Sequence, residues 1–93
     1  MKIEWDPSKA KSNVAKHGIH FSDVEAAFYD PFAIVVPDHE AEGEERFVLL
    51  GADATGRIVT AAYTYRGDAA RLISARPATK RERKSYEAGI RFQ

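Results

Sequence analysis

Six cations fall within sixteen residues near the end of the chain: Arg71, Arg76, Lys80, Arg81, Arg83 and Lys84, in the stretch Arg71–Tyr86. A guanidinium stays charged at any relevant pH and can bond two phosphate oxygens at once. Such a cluster suits a phosphate ester or another polyanion. Arg76, and Arg66 ahead of it, are the best candidates to hold a phosphate. The plain alternative for either is an ion pair with a nearby carboxylate. His17 is a candidate acid or base, because its ordinary pKa lies near neutrality. It equally suits the end of a helix, as does Lys16 beside it. Glu45 next to Arg46 is either a base or half of an ion pair. Arg83 and Tyr86 are three apart and share a helix face. Tyr86 either stacks on a base, serves as an acid or docks the helix. The histidines His17, His20 and His39 are not at ligand spacing and there is no cysteine, so no metal site is predicted.

The elements that must position these groups follow from local signals. Arg71–Arg76 reads as a strand stopped by Pro77, which has no N–H for a ladder. Thr79 and Glu82 form a capping box that starts a helix. At the other end, Lys2–Trp5 alternates as a first strand, with Ile3 and Trp5 inward. Asp6 is an N-cap and Pro7 suits the first helical position. That helix runs to about Lys16, with Ala10, Val14 and His17 on one face and Gly18 as a left-handed stop. Ser22 and Glu25 suggest a second capping box, for a helix ending before Asp30–Pro31. Phe32–Val36 is a continuous apolar strand, expected to be buried. An acidic loop from Pro37 to Glu45 leads to strand Arg46–Leu50, a turn from Gly51 to Gly56, and strand Arg57–Arg66. Gly67–Asp68 turns the chain back. Gly89 is expected to break the last helix, leaving Arg91–Phe92–Gln93 as a tail. Four strands joined by short turns predict an antiparallel meander, and the class is α+β with helices on one sheet face. If the turns are the shortest possible, Glu45 falls opposite Tyr63 and Arg76 opposite Ala61, on one face and near each other. One bulge would flip that parity.

The chain of 93 residues makes one domain with a modest core. No apolar run approaches the roughly 18 residues that span a bilayer, and no signal peptide is expected. The absence of cysteine fits the cytosol. Net charge is zero, but it is segregated. Residues 1–45 hold four Lys against ten Asp and Glu, and residues 46–93 hold ten Lys and Arg against four Asp and Glu. A basic half can bind polyanions whatever the total.

Several pieces, in order, resemble the BrnT family of ribonuclease toxins from type II toxin–antitoxin systems. They are Trp5–Asp6 with Lys9 and Asn13, Lys16–Ile19 with Phe21, and Phe28 with Asp30–Pro31. Glu45–Arg46, Gly51, Gly56–Arg57, Tyr63–Thr64 and Arg66 continue the pattern. Ile73–Arg76, Glu82–Arg83 and Tyr86 complete it. The resemblance implies a RelE-like fold and metal-independent RNA cleavage without a cofactor. It also implies a ribbon-helix-helix antitoxin, two copies of the toxin bridged by an antitoxin dimer, and repression of the operon by the complex on DNA.

Cleavage of that kind needs a base for the 2′-hydroxyl, cations for the charged phosphorane and an acid for the leaving 5′-oxygen. His17, Glu45, Arg66 and Arg76 are the catalytic candidates. Lys16, Arg46, Arg71, Lys80, Arg81, Arg83 and Tyr86 are the candidates for RNA binding. The guanidinium groups of the closing hairpin and its helix are expected to gather around one pocket. Two readings compete with an active nuclease: a catalytically silent module that acts only within a DNA-bound repressor complex, and a small interaction domain with no nucleic-acid role.

Overall fold

The computed structural model describes residues 1–39 and 42–91, with only the backbone of Arg91. Strand β1 (Lys2–Trp5) leads into helix α1 (Pro7–His17). A short second helix α2 (Phe21–Val24) continues as a 3-10 turn through Glu25–Tyr29. Strands β2 (Ile34–Pro37), β3 (Phe47–Ala52), β4 (Ile58–Arg66) and β5 (Ala69–Pro77) follow, and helix α3 (Lys80–Arg91) ends the chain. The five strands form one sheet in the order β1-β5-β4-β3-β2. β2 to β5 make the expected antiparallel meander. β1 adds to β5 in parallel, so the sheet is mixed rather than purely antiparallel. A strand that leaves through α1 and returns only at the end of the meander can join that edge in this sense.

The helices divide between the two sheet faces instead of sharing one. Leu49, Ala61 and Ala75 point to one face, where they pack with Ile19, Phe21, Val24 and Ala27. Leu50, one residue on, points to the other face and packs with Tyr86 of α3, Ala78 and, around them, Phe32, Ile34 and Ile58. Alternation along β3 therefore serves two cores, as the two-residue strand period requires.

Local signals hold at several termini. Asp6 accepts the Ser8 N–H at 2.8 Å. Gly18 ends α1 at φ 69°, where only glycine is unstrained. The Thr79–Glu82 box is closed in both directions, at 2.8 and 3.1 Å. Other expectations fail. The Ser22–Glu25 box does not form: α2 starts two residues earlier, with His20 as an N-cap that makes no side-chain bond. β2 is not buried, because it is the sheet edge, and Val35 and Val36 are each nearly half exposed. Gly51 is not turn but strand, and a side chain there would press within 3.2 Å of the Ala27 carbonyl. Gly89 does not break α3. Parts of the acidic loop (Glu40, Ala41) and of the tail (Phe92, Gln93) lie outside the described residues.

Candidate functional site

β1 stops at Trp5, and β5 continues for five residues beyond its last parallel partner. That stretch of edge would present bare N–H and C=O groups. Asn13 of α1 covers it. Its Nδ2 donates to the carbonyls of Ala75 at 2.8 Å and Ile19 at 3.0 Å, and its Oδ1 accepts the Ala75 N–H at 2.9 Å. The side-chain amide thus stands in for a neighbouring strand and fixes α1 against the edge.

With Asn13 so placed, the helical period brings Lys9, Ser12 and Lys16 to the same side of α1. These residues, with His17, Ile73 and Ser74, line a cleft of about 240 Å³ between α1 and β5. Lys9, Lys16 and His17 are exposed, and no carboxylate is among the lining residues. The cleft is a cationic slot with one imidazole, that of His17, in its lining. His17 therefore lies outside the apolar face of α1 expected for it.

The β-bulge at this point decides where the arginines go. The β4–β5 register runs from Thr60↔Arg76 to Ala62↔Ser74, then slips so that Tyr63 pairs with Leu72. Arg76 consequently sits opposite Thr60, not Ala61. Glu45 precedes β3 and lies outside it, and Phe47, not Glu45, is opposite Tyr63. The predicted Glu45–Arg76 neighbourhood does not exist, because five residues of strand separate the corresponding positions on β4, roughly 16 Å. Glu45 is exposed, and its backbone carbonyl takes the Thr64 hydroxyl at 2.6 Å.

The guanidinium groups do not gather around one pocket either. Arg76 sits opposite Thr60, and Arg66 lies six residues further along β4, about 20 Å away along the strand. Arg66 is exposed at the hairpin end. By strand alternation Arg66, Arg71 and Arg76 share one sheet face with Ser74, but most of them already have a carboxylate. Arg71 lies 3.6 Å from Glu4, and Arg46 lies 3.6 Å from Glu44. Arg76 makes a two-pronged contact with Glu82, at 2.7 and 3.0 Å. That contact, with help from the Thr79 N–H, lowers the Glu82 pKa to about 2 and raises that of Arg76 further. Arg76 is two residues beyond Ser74 on the same face, about 7 Å from the cleft.

On α3, Lys80, Arg81, Arg83 and Lys84 are exposed. Tyr86 is not available to stack on a base. It is 6% exposed, and its hydroxyl donates to Asp30 Oδ2 at 2.6 Å. Burial and the Asp30 charge push its pKa up to about 12. Burial also works against the charge on Asp30. The bonds from Tyr86 and from the Ala52 and Phe32 N–H groups outweigh it and hold the pKa below 3.8. Trp5 packs edge-on against Phe21, as a core residue does.

Lys9, Ser12, Ile73 and Ser74 are cleft residues that reading the sequence by local chemistry did not single out. A signal was present: Lys9, Asn13 and Lys16 recur at helical spacing, and Asn is a poor mid-helix residue unless its side chain bonds elsewhere. Among the described residues, no three His, Asp or Glu side chains come together as a possible metal site.

The comparisons with known proteins agree with this architecture. The chain matches a family model described as "Ribonuclease toxin, BrnT, of type II toxin-antitoxin system" over residues 5–82. No curated protein matches it significantly. Among solved structures it is similar to the ribonuclease toxin BrnT of Brucella abortus, with 32% identity and a TM-score of 0.70. The match covers 86% of this chain and 99% of that one. Sequence pattern and three-dimensional arrangement therefore converge, and the chain belongs to the BrnT family of ribonuclease toxins of type II toxin–antitoxin systems.

Proposed function

We propose that this protein is an endoribonuclease that cleaves RNA without a metal ion and is restrained by an antitoxin. The observation that carries the reading is the cleft between α1 and β5, where Lys9, Lys16 and His17 converge with no carboxylate in the lining. A phosphodiester seated there meets two ammonium groups that stabilise the charge developing on phosphorus. His17 exchanges a proton with the 2′-hydroxyl or the leaving 5′-oxygen. The attack comes from the 2′-hydroxyl, so DNA of the same sequence is spared. Arg66, Arg71 and Arg76 lie along the adjacent sheet face as contacts for flanking phosphates, with Arg46, Lys80, Arg81 and Arg83 as outer cations. Glu45 is too far along the sheet to serve beside Arg76.

The partner in this reading is a ribbon-helix-helix antitoxin, with a dimer of it bridging two toxin copies and the assembly repressing its own operon on DNA. The place of action is the cytoplasm. The test is cleavage of single-stranded RNA by purified protein in the presence of a chelator, with loss of activity in His17→Ala and Lys16→Ala variants that keep the native circular dichroism spectrum. Full activity in both variants overturns the assignment of the cleft.

One observation favours a second reading. The Arg76 fork is already saturated by Glu82, as expected of a structural clamp in a catalytically silent module. Growth arrest on expression without an antitoxin, together with RNA decay, separates the two, because a silent module produces neither.

A further inference from the structure

A second groove, of about 270 Å³, shares no residue with the α1 cleft. It is lined by Gly56, Arg57, Ile58, Pro77, Ala78 and Arg83, at the meeting of the β3–β4 hairpin with the start of α3. Its chemistry differs from that of the cleft: three apolar residues, Ile58, Pro77 and Ala78, share the lining with Arg57 and Arg83. Arg57 is already tied to its own hairpin, through Thr55 at 3.2 Å and Asp53 at 3.5 Å. Arg83 has no side-chain hydrogen bond or ion pair among the described residues, and neither do Lys80, Arg81 and Lys84.

Four cations in the opening turns of α3 oppose the helix macrodipole, whose positive end is there. The one acid of the first turn, Glu82, is held by Arg76 and Thr79 and does not offset them. The arrangement is unfavourable in the free protein and is relieved by an anionic partner. RNA is a poor fit to this groove, because no aromatic ring lines it for a base to stack on. An apolar floor between cations fits a peptide better.

We infer that this groove receives a segment of a protein partner in which acidic residues flank an apolar side chain. The apolar group covers Ile58, Pro77 and Ala78, and the carboxylates meet Arg83 and its neighbours on α3. The inference rests on the chain being one half of a toxin–antitoxin pair. It adds that the contact is an anchor on α3 that leaves the α1 cleft uncovered.

The test is a titration of the isotope-labelled full-length protein, followed by backbone amide shifts. The probes are a short peptide of alternating Glu and Leu, its all-Glu counterpart and a short single-stranded RNA. The Glu–Leu peptide is expected to shift Gly56, Arg57, Ile58, Ala78 and Arg83 and to bind more tightly than the all-Glu peptide. Arg83→Glu combined with Lys84→Glu should weaken it roughly tenfold, and Lys9→Glu should not. Shifts at Lys9 to His17 and Ser74 instead, no saturable binding, or tighter binding of RNA to the groove overturns the inference. The shift map on the unaltered protein stands even if the double variant fails to fold. RNA cleavage that persists without peptide binding leaves the nuclease reading standing and removes this one; peptide binding without cleavage does the reverse.

Discussion

The hydroxyl of Tyr86 and the carboxylate of Asp30 join the last helix to the turn before β2, across 56 positions of chain. Among the described residues Asp30 accepts three bonds, so it acts as a hub and not as a reactive acid. Tyr86→Phe should cost about 1–2 kcal/mol in urea unfolding and leave RNA cleavage unchanged. A large loss of cleavage with unchanged stability would return Tyr86 to the site. Glu82 and Asp30 give the stability–pH profile its acid limb, and Tyr86 together with Tyr63 its alkaline limb. Glu82 titrates near 2 in the folded chain against 4.5 ordinarily. Its contribution is full above about 4.5 and is lost as pH falls from there towards 2. The pair is partly exposed, so roughly 1–2 kcal/mol is at stake after solvent screening. Asp30, also lowered, adds to the acid limb in the same sense. Tyr86 is raised from 10 to about 12, so its contribution is full below 10 and is lost as pH rises through that interval. Glu82→Gln should flatten the acid limb and Tyr86→Phe the alkaline one, as read by urea midpoints across pH.

Among the elements, α1 matters most to the site because it is both edge cover and cleft wall. Its Asn13 amide satisfies the N–H and the C=O of Ala75 where β1 has run out. Asn13→Ala leaves those groups unpaired and should destabilise the fold by about 2–4 kcal/mol, with faster hydrogen exchange at Ala75. An Asn13→Ala protein of unchanged stability would mean that the edge is covered some other way. The β5 bulge is the other decisive element. By absorbing one residue at Ile73 it keeps Leu72 under Trp5 and Ile3 while Ser74 and Arg76 turn to the opposite face. Deleting Ile73 leaves Leu72 opposite Tyr63 and Ser74 opposite Ala62 in an unbroken ladder, with each side chain on its present face. The cooperative unfolding transition should therefore survive while the cleft loses one wall residue; loss of that transition would mean that the fold needs the bulge itself.

For the whole molecule, the acidic first half and basic second half of the sequence do not fold into two separate surfaces. Glu4 comes to rest against Arg71 on the neighbouring strand, and Glu44 pairs locally with Arg46 where the two halves meet, so part of the segregated charge is neutralised. Among the described residues, Lys80, Arg81, Arg83 and Lys84 of α3, Arg66, and the cleft residues Lys9 and Lys16 are among the cations with no ion pair. RNA affinity should therefore fall steeply with salt, with a log–log slope reflecting the few cations in contact. Lys9→Ala and Lys16→Ala should each reduce that slope by roughly 1, checked by anisotropy titrations at several salt concentrations. A slope unaffected by either change would remove the cleft from the RNA path. Three helix ends were legible in the sequence because each depends on residues within three or four positions: Asp6 with Ser8, Gly18, Thr79 with Glu82. The same kind of signal misled at Ser22–Glu25 and at Gly89, where packing against the sheet overrode it. Which strand lies beside β5, which face each helix covers and whom Arg76 meets were settled only by the tertiary structure. They depend on register, and with a side-chain period of two, one extra residue at Ile73 reverses every face beyond it. No local signal distinguishes an arginine free for phosphate from one whose carboxylate arrives on the next helix.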